Sequence, residues 1–553
     1  MEETRRFQCK IVSSLEKVLP MIEPTQEEYN GSMLKNERYN FQIAYHCTVT
    51  PRGMHSNTMV ARGELAKYMT FRIEELAPSS VVNYPADDYY ITNQVGLIPD
   101  PLVPIQKVGI PMPYGQWRAV WVSVELDENC KAGVYETEFE LFRLNGDSLG
   151  VLKYTIEVID AKLPKTDLRL TNWIHYDCIS DTHDVALFSD EFYAVFADYL
   201  KNYRECGFNM LLVPLFTPPL DTAPNGERKT AQLVKVKQTA NGYEFDFTDL
   251  KKFVRFALAN GVEYIEFSHL FTQWGGKYCP KVMADVDGEE RRIFGWDTDA
   301  TDERYQSFLE TFFAKLGKVI DEMGIRECCY FHLTDEPGET MIPNYAKCRE
   351  MVKKYIGDMP IMDALSHYEF YEKGLVDIPV TGLKAYQIFA EHHLKNLFVY
   401  NCCGPTDEYY SNRFLNFPSQ RVRVLGFQLY KSAVQGYLHW GFNFYNSVLS
   451  KISVNPYSST DCYGYYPSGD GFLVYPSKTG AYKSLRAEIT NEGFQDYRVL
   501  KLLESYIGRE KVVALLDEWG LDGYTVYPRD AVSHKNFREK INALIKEQLE
   551  VVK

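Results

Sequence analysis

Nowhere do the 553 residues approach the ~20 consecutive apolar side chains that a helix needs to cross a bilayer. The opening Met1-Glu-Glu-Thr-Arg-Arg-Phe lacks the apolar core of a secretion signal. A cytoplasmic location is therefore the expectation, although a secreted protein trimmed of its signal would look the same. No C-x-x-C and no paired His/Cys spacing is present, so no metal site is expected. The 12 cysteines are scattered, with vicinal pairs at Cys328-Cys329 and Cys402-Cys403, and read as reduced thiols rather than a disulfide framework. Positive charge is in deficit: 60 Lys and Arg stand against 75 Asp and Glu, a net charge of −15. That balance argues against a nucleic-acid backbone or an anionic membrane as partner. Low-complexity segments and internal repeats are absent too.

What is there is apolar surface in quantity. Hydrophobic residues make up 45% of the chain and aromatics 14%, with 40 Tyr and 32 Phe. A large core accounts for most of that, and clefts that stack sugar rings would add to it. The length is too great for one ordinary domain. From residue 1 to about 160 apolar and polar residues alternate, as in Tyr39-Asn-Phe-Gln-Ile-Ala-Tyr, Ala119-Val-Trp-Val-Ser-Val-Glu-Leu and Gly133-Val-Tyr-Glu-Thr-Glu-Phe-Glu-Leu-Phe. Period-two runs broken by Gly, Pro and Asp predict an antiparallel β-sandwich over 1–162, with Leu163-Pro-Lys-Thr-Asp as the linker.

Beyond the linker the rhythm becomes strand then helix. Strands are expected over 168–176, 209–216, 264–271, 328–333, 360–365, 378–384, 397–402 and 436–444. Helices are expected over 190–206, 248–260 and 302–323, the last burying Tyr305, Phe308, Leu309, Phe312, Leu316, Val319 and Ile320. Eight such units are the count of a (β/α)8 TIM-type barrel, placed over 163–505, with a helical C-terminal extension packed on it over 506–553.

The fourth strand runs straight into Thr334-Asp335-Glu336-Pro337. Two adjacent acids at the carboxyl end of a barrel strand lie where such folds do their chemistry, and their mutual repulsion raises the pKa of one of them. They also suit a helix start, with Pro337 in the first turn, so capping is a second reading of the same residues. Polar and aromatic residues recur at the ends of three other strands: Trp173, His175, Tyr176 and Asp177; Ser268, His269, Gln273 and Trp274; His439, Trp440, Asn443 and Tyr445. A sugar site explains them together. His332, inside the strand, reads as a satisfied interior residue. A retaining glycosidase of the usual kind needs a second carboxylate opposite the acid. The seventh strand ends Val399-Tyr-Asn-Cys-Cys-Gly-Pro, without an acid, and the eighth offers none. Chain neighbours cannot readily reach one anomeric carbon from opposite faces. They can divide the work differently: Glu336 protonates the leaving oxygen while Asp335 holds a 2-acetamido group that attacks.

The chain resembles glycoside hydrolase family 123 and the related domain-of-unknown-function 4091 proteins. The resemblance is carried by Leu333-Thr-Asp-Glu-Pro, Val213-Pro-Leu-Phe-Thr-Pro-Pro-Leu-Asp-Thr, Pro99-Asp-Pro-Leu-Val-Pro, Gly469-Asp-Gly-Phe-Leu-Val-Tyr-Pro, Ser484-Leu-Arg-Ala-Glu and Gly493-Phe-Gln-Asp-Tyr, in order along nearly the whole chain. It implies a sandwich followed by a barrel, and an exo-acting retaining β-N-acetylgalactosaminidase that uses no cofactor. Catalysis in that family is substrate-assisted, with Asp335 orienting the acetamido group and Glu336 acting as acid and then base. Strand-end position selects Trp274 and Trp440 as stacking walls and His175, Asp177, His269 and Tyr445 as hydroxyl contacts, with rim packing the alternative for each. Arg486 and Glu488 are expected to form an ion pair on one helix. The partner implied is a glycan or oligosaccharide, in keeping with intracellular trimming of imported sugars; the oligomeric state stays open. Two rivals remain, a glycosidase for another sugar and a carbohydrate-binding barrel without turnover.

Overall fold

A computed structural model describes residues 7–48, 57–80, 86–106, 109–143, 145–223, 226–394 and 396–552. The first nine strands are β1 (Phe7–Ser13), β2 (Asn30–Lys35), β3 (Arg38–Cys47), β4 (Asn57–Arg62), β5 (Met69–Ser79), β6 (Gly96–Pro104), β7 (Trp117–Glu125), β8 (Gly133–Arg143) and β9 (Ser148–Lys162). They form two sheets, β1-β3-β7-β5-β6 and β2-β9-β8-β4. Alternate residues such as Phe41, Ile43, Val122, Phe139, Leu141 and Ile156 meet between them, which is what the period-two pattern demands. All pairings are antiparallel except β2 with β9, which is parallel. A hairpin turn dictates antiparallel pairing only between strands it joins. β2 and β9 are far apart in sequence, so no turn fixes their direction.

The eight parallel strands follow: β10 (Arg169–Asn172), β11 (Met210–Val213), β12 (Tyr264–Phe267), β13 (Cys329–Phe331), β14 (Met362–Ala364), β15 (Ile378–Gly382), β16 (Phe398–Tyr400) and β17 (Gly436–His439). Their order is β13-β12-β11-β10-β17-β16-β15-β14, and a parallel bridge from Phe331 to Ile361 nearly closes the ring. The interior is packed: Met210, Leu212, Tyr330, Met362, Val380 and Phe398 point inward, while Leu211, Val213, Ile265, Phe267 and Phe331 face the helices. The strands are shorter than the apolar runs that announced them: beyond the ladders Trp173, His175, Cys402 and Trp440 line the mouth, while Leu215, Phe216, Leu270, Phe271 and Leu365 join the core around the barrel. The helix Glu303–Met323 buries every residue expected of it, between an Asp302 cap and a left-handed Gly324. Two hairpins, Lys235–Thr239 with Gly242–Asp246 and Val282–Val286 with Glu289–Phe294, unite into one four-stranded sheet beside the barrel.

The helix Leu485–Ile507 follows the eighth strand, and helices Arg509–Trp519 and Ala531–Val552 come after it. Among the described residues no helix is long and apolar enough to cross a membrane. Arg486 and Glu488 do not pair with each other. Two residues apart on a helix they point to different sides, and each reaches a separate partner. Arg486 forks onto Asp100 of β6 at 3.0 and 3.0 Å, both side chains fully buried. Glu488 takes Arg72 at 2.7 Å, Lys483 at 2.8 Å and Arg38 at 3.4 Å. Against the upward push of burial, these three cations hold it well below the usual carboxylate range. Two of the quoted motifs thus form the joint between sandwich and barrel.

Candidate active site

The acid pair sits on a turn, not on a helix start. A 3-10 turn, Glu339–Met341, starts after Gly338 in the cap position and runs into the helix Ile342–Ile356, which has Pro343 and not Pro337 in its first turn. Capping is therefore overturned: Asp335 and Glu336 lie in the stretch of chain that crosses the barrel mouth. Glu336 adopts φ +43, a left-handed conformation that a Glu rarely holds without support. Support comes from both sides. Its N–H donates to the carbonyl of Ala364 at 3.0 Å, and the Asp335 carbonyl accepts from Trp274 N–H at 2.7 Å. Trp274 is itself left-handed, at φ +61.

The pair opens into a cleft of about 140 Å³. Trp173, Trp274 and Trp440 furnish aromatic surface, Tyr400 and Tyr466 furnish phenols, and Cys402 and Cys403 lie on the wall. Asp335 is half-buried and Glu336 projects to the mouth. Tyr400 donates its hydroxyl to Glu336 Oε1 at 2.6 Å. Burial first, and the adjacent charge of Glu336 second, push the Asp335 carboxyl well above the ordinary aspartate range, while His332 pulls it back. Asp221, from the loop after β11, is the third carboxylate on the cleft; it accepts from Tyr466 at 2.9 Å, and its carbonyl accepts from Ser450 at 2.8 Å. Replacing Tyr400 by Phe is expected to cut kcat by about 10- to 100-fold with KM nearly unchanged, the weight of a hydrogen bond to a charged group. Steady-state kinetics at fixed pH read it out.

The other expected contacts divide. His175, Trp274 and Trp440 line the cleft. His175 is fixed in one tautomer: Nδ1 accepts from Arg228 at 3.3 Å and Nε2–H donates to the Trp440 carbonyl at 2.9 Å. Burial and the Arg228 charge lower its pKa to about 4, so it is neutral at physiological pH. Trp440 is oriented by Asp470, which accepts its indole N–H at 2.9 Å. Asp177, His269 and Tyr445 do not line the cleft. Asp177 is 6% exposed and spent on a two-pronged bond to Arg228, at 2.9 and 2.8 Å. Tyr445 is buried at 2% and donates to the Val474 carbonyl at 2.8 Å. His269 is buried, stacked on His332 at 4.4 Å and edge-on to Trp173 at 5.2 Å. These three lie past the strand ends in sequence, where the chain has already turned outward or downward into packing.

His332 is an interior residue with both nitrogens satisfied, by Glu266 at 2.9 Å and Asp363 at 3.3 Å. Against burial, its bonds to Asp363 and Glu266 raise its pKa to about 9, so it carries a proton. His269, His332 and Asp363 bring ligand-type atoms within 4.8 Å of one another. An imidazolium already held between two carboxylates occupies that charge and repels a second cation. Tyr400 and Asp221 are cleft residues that the sequence does not single out. Tyr400 stood in a motif searched for acids only, and nothing in the sequence places the Asp221 loop over the mouth.

An eight-stranded barrel with two adjacent acids at its carboxyl edge, walled by tryptophans, is the architecture of a glycoside hydrolase. Residues 173–503 match the family model of the glycoside hydrolase 123 catalytic domain. The chain belongs to glycoside hydrolase family 123, and its substrate is a carbohydrate. Among solved structures, a family 123 glycoside hydrolase from Clostridium perfringens, studied for glycolipid glycan hydrolysis, is similar over 99% of both chains, at 16% identity and a TM-score of 0.77. At that identity the likeness establishes the shared fold. A family 5 mannosidase from Rhizomucor miehei covers 66% of this chain and 96% of its own, at 12% identity and a TM-score of 0.32, and nothing is drawn from it. No curated protein matches the sequence.

Proposed function

We propose that the chain is an exo-acting, retaining β-N-acetylgalactosaminidase that works by acetamido participation. The observation that carries this reading is the adjacency of Asp335 and Glu336 on one turn of a small cleft to which strands β14 to β17 and the loops after them bring no further carboxylate. Glu336, at the mouth with Tyr400 on its inner oxygen, delivers a proton to the glycosidic oxygen. The acetamido carbonyl oxygen attacks the anomeric carbon from the other face as the bond to the leaving oxygen breaks, giving an oxazoline. Asp335 accepts the acetamido N–H, a hydrogen bond that favours its ionised form and offsets the burial and repulsion acting on it. Glu336 then takes a proton from the water that opens the oxazoline, with net retention. A cleft of about 140 Å³ suits a single terminal sugar.

Asp221 keeps a two-carboxylate mechanism in view, since it lines the same cleft. Its bond to Tyr466 and its place in the Ser450 turn favour a structural task. A 4-nitrophenyl N-acetyl-β-D-galactosaminide should be hydrolysed and the corresponding galactoside should not. A thiazoline analogue of the oxazoline should inhibit at least ~10²-fold more tightly than the substrate binds, as an intermediate mimic does. Cleavage of plain galactosides with millimolar thiazoline inhibition would sink acetamido participation.

A further inference from the structure

The turn that carries the acid pair is gripped by one strand, β14. The Asp363 carboxylate accepts from Leu333 N–H at 2.9 Å and Thr334 N–H at 3.3 Å, the two residues just before Asp335. The next residue, Ala364, accepts from Glu336 N–H at 3.0 Å, just after it. Asp363 has two further donors: the Tyr345 hydroxyl at 2.6 Å, from the helix Ile342–Ile356, and His332 Nδ1 at 3.3 Å. His332 is tied in turn to Glu266 of β12, whose other oxygen accepts from Thr171 of β10. Thr171, Glu266, His332 and Asp363 are all fully buried. Unpaired charges there would be costly. The arrangement persists because the imidazolium bonds to both carboxylates and their other lone pairs accept from Thr171, Tyr345 and two backbone N–H groups.

We propose that Asp363 and His332 are positioning residues for the family 123 reaction, holding Asp335 and Glu336 in their strained turn and setting the charge that Asp335 feels. This rests on the roles proposed for the acid pair above. The groups facing Asp335 are Glu336 on its own turn, His332 at the end of β13, Asp363 on β14 and Tyr400 on β16. Two of them carry opposite charges and are bonded to each other. Removing them one at a time therefore pushes Asp335 in opposite directions. General damage to the fold would push both variants the same way.

The test is the pH dependence of kcat/KM for wild type, Asp363→Asn, His332→Gln and Tyr345→Phe, on the chromogenic glycoside that the wild type cleaves. Asp363→Asn removes a negative charge and a pair of N–H acceptors. Its kcat falls about 10²-fold with KM held within threefold, and the acid limb moves to lower pH. His332→Gln removes a positive charge, and its acid limb moves to higher pH. Tyr345→Phe keeps all the charges, loses one hydrogen bond and lowers kcat by less than 10-fold with the limb in place, so the role remains testable if a charge variant does not fold. Acid limbs that stay put in both charge variants, or move the same way, overturn the proposal, as does a Tyr345→Phe enzyme with unchanged kcat. The two readings fail separately. If Asp335→Asn and Glu336→Gln are harmless, the acid pair is not the catalytic pair; if both are crippled while Asp363 and His332 variants keep wild-type kcat and pH limbs, only the positioning role is lost.

Discussion

Glu336→Gln lowers kcat/KM about 10³- to 10⁴-fold for an alkyl or oligosaccharide N-acetyl-β-galactosaminide, and far less for a dinitrophenyl one. Protonation matters in proportion to the basicity of the leaving oxygen, and a well-placed general acid supplies roughly that factor. It corresponds to about 4 to 5.5 kcal/mol of transition-state stabilisation. Asp335→Asn behaves otherwise. It is expected to lose about 10²- to 10³-fold whatever the leaving group, because in the proposed mechanism the group it holds is the nucleophile itself. Its pH profile changes too. A carboxyl whose pKa is raised in the folded protein is protonated at a higher pH than usual. Activity that needs it ionised is present above that pKa and lost as pH falls through it. Wild-type kcat/KM should therefore show an acid limb above the ordinary aspartate range, and Asp335→Asn should abolish that limb. Equal and mild losses in both variants, independent of leaving group, would remove the acid pair from the chemistry.

Arg486→Leu is expected to cost roughly 3–5 kcal/mol of stability, the penalty for leaving Asp100 buried without its partner. The arginine also donates to the carbonyls of Arg413 and Gly469, at 3.0 and 2.5 Å, so its loss strips the joint between sheet, barrel loop and helix at once. Replacing both partners, as Asp100→Leu with Arg486→Leu, removes the charge that the single variant strands. It should recover at least half of the lost stability, because an apolar pair avoids the desolvation cost of both ions. Denaturant unfolding of the four proteins in the cycle gives the coupling directly. A single variant within about 0.5 kcal/mol of wild type would show that the ion pair is incidental to the joint.

Much of this was legible beforehand. The period of two along 1–162 and the alternation of strand and helix beyond it are local consequences of which face is buried. They remain readable because each strand or helix sees its core on one side only. The acid pair was legible because two adjacent carboxylates directly after a buried apolar run are a local pattern, although the same pattern also suited a helix cap. The assignments that failed were those needing direction in space. Asp177, His269 and Tyr445 stand two to six residues beyond their ladders, where the chain has turned and the side chain can face anywhere. Asp177 went to Arg228, 51 residues away along the chain. Tyr400 is not legible in the sequence, because a phenol that hydrogen-bonds one acid of the pair leaves no charge pattern.

The sequence by itself determined that a sandwich precedes an eight-stranded barrel, and that two adjacent acids end the fourth strand, since burial periodicity and strand-end chemistry are written locally. Only the tertiary structure decided how those acids are held. It put Gly338, not the acid pair, at the cap of the helical segment that starts at Glu339, and so freed them from capping. It set Tyr400 on Glu336, and it bound the turn to β14 through Asp363 and Ala364. It also paired Arg486 with Asp100 across 386 residues. Hydrogen bonds and ion pairs form between groups that the closed barrel and packed joint bring within about 3 Å, and closure is a property of the whole chain that no window of sequence contains.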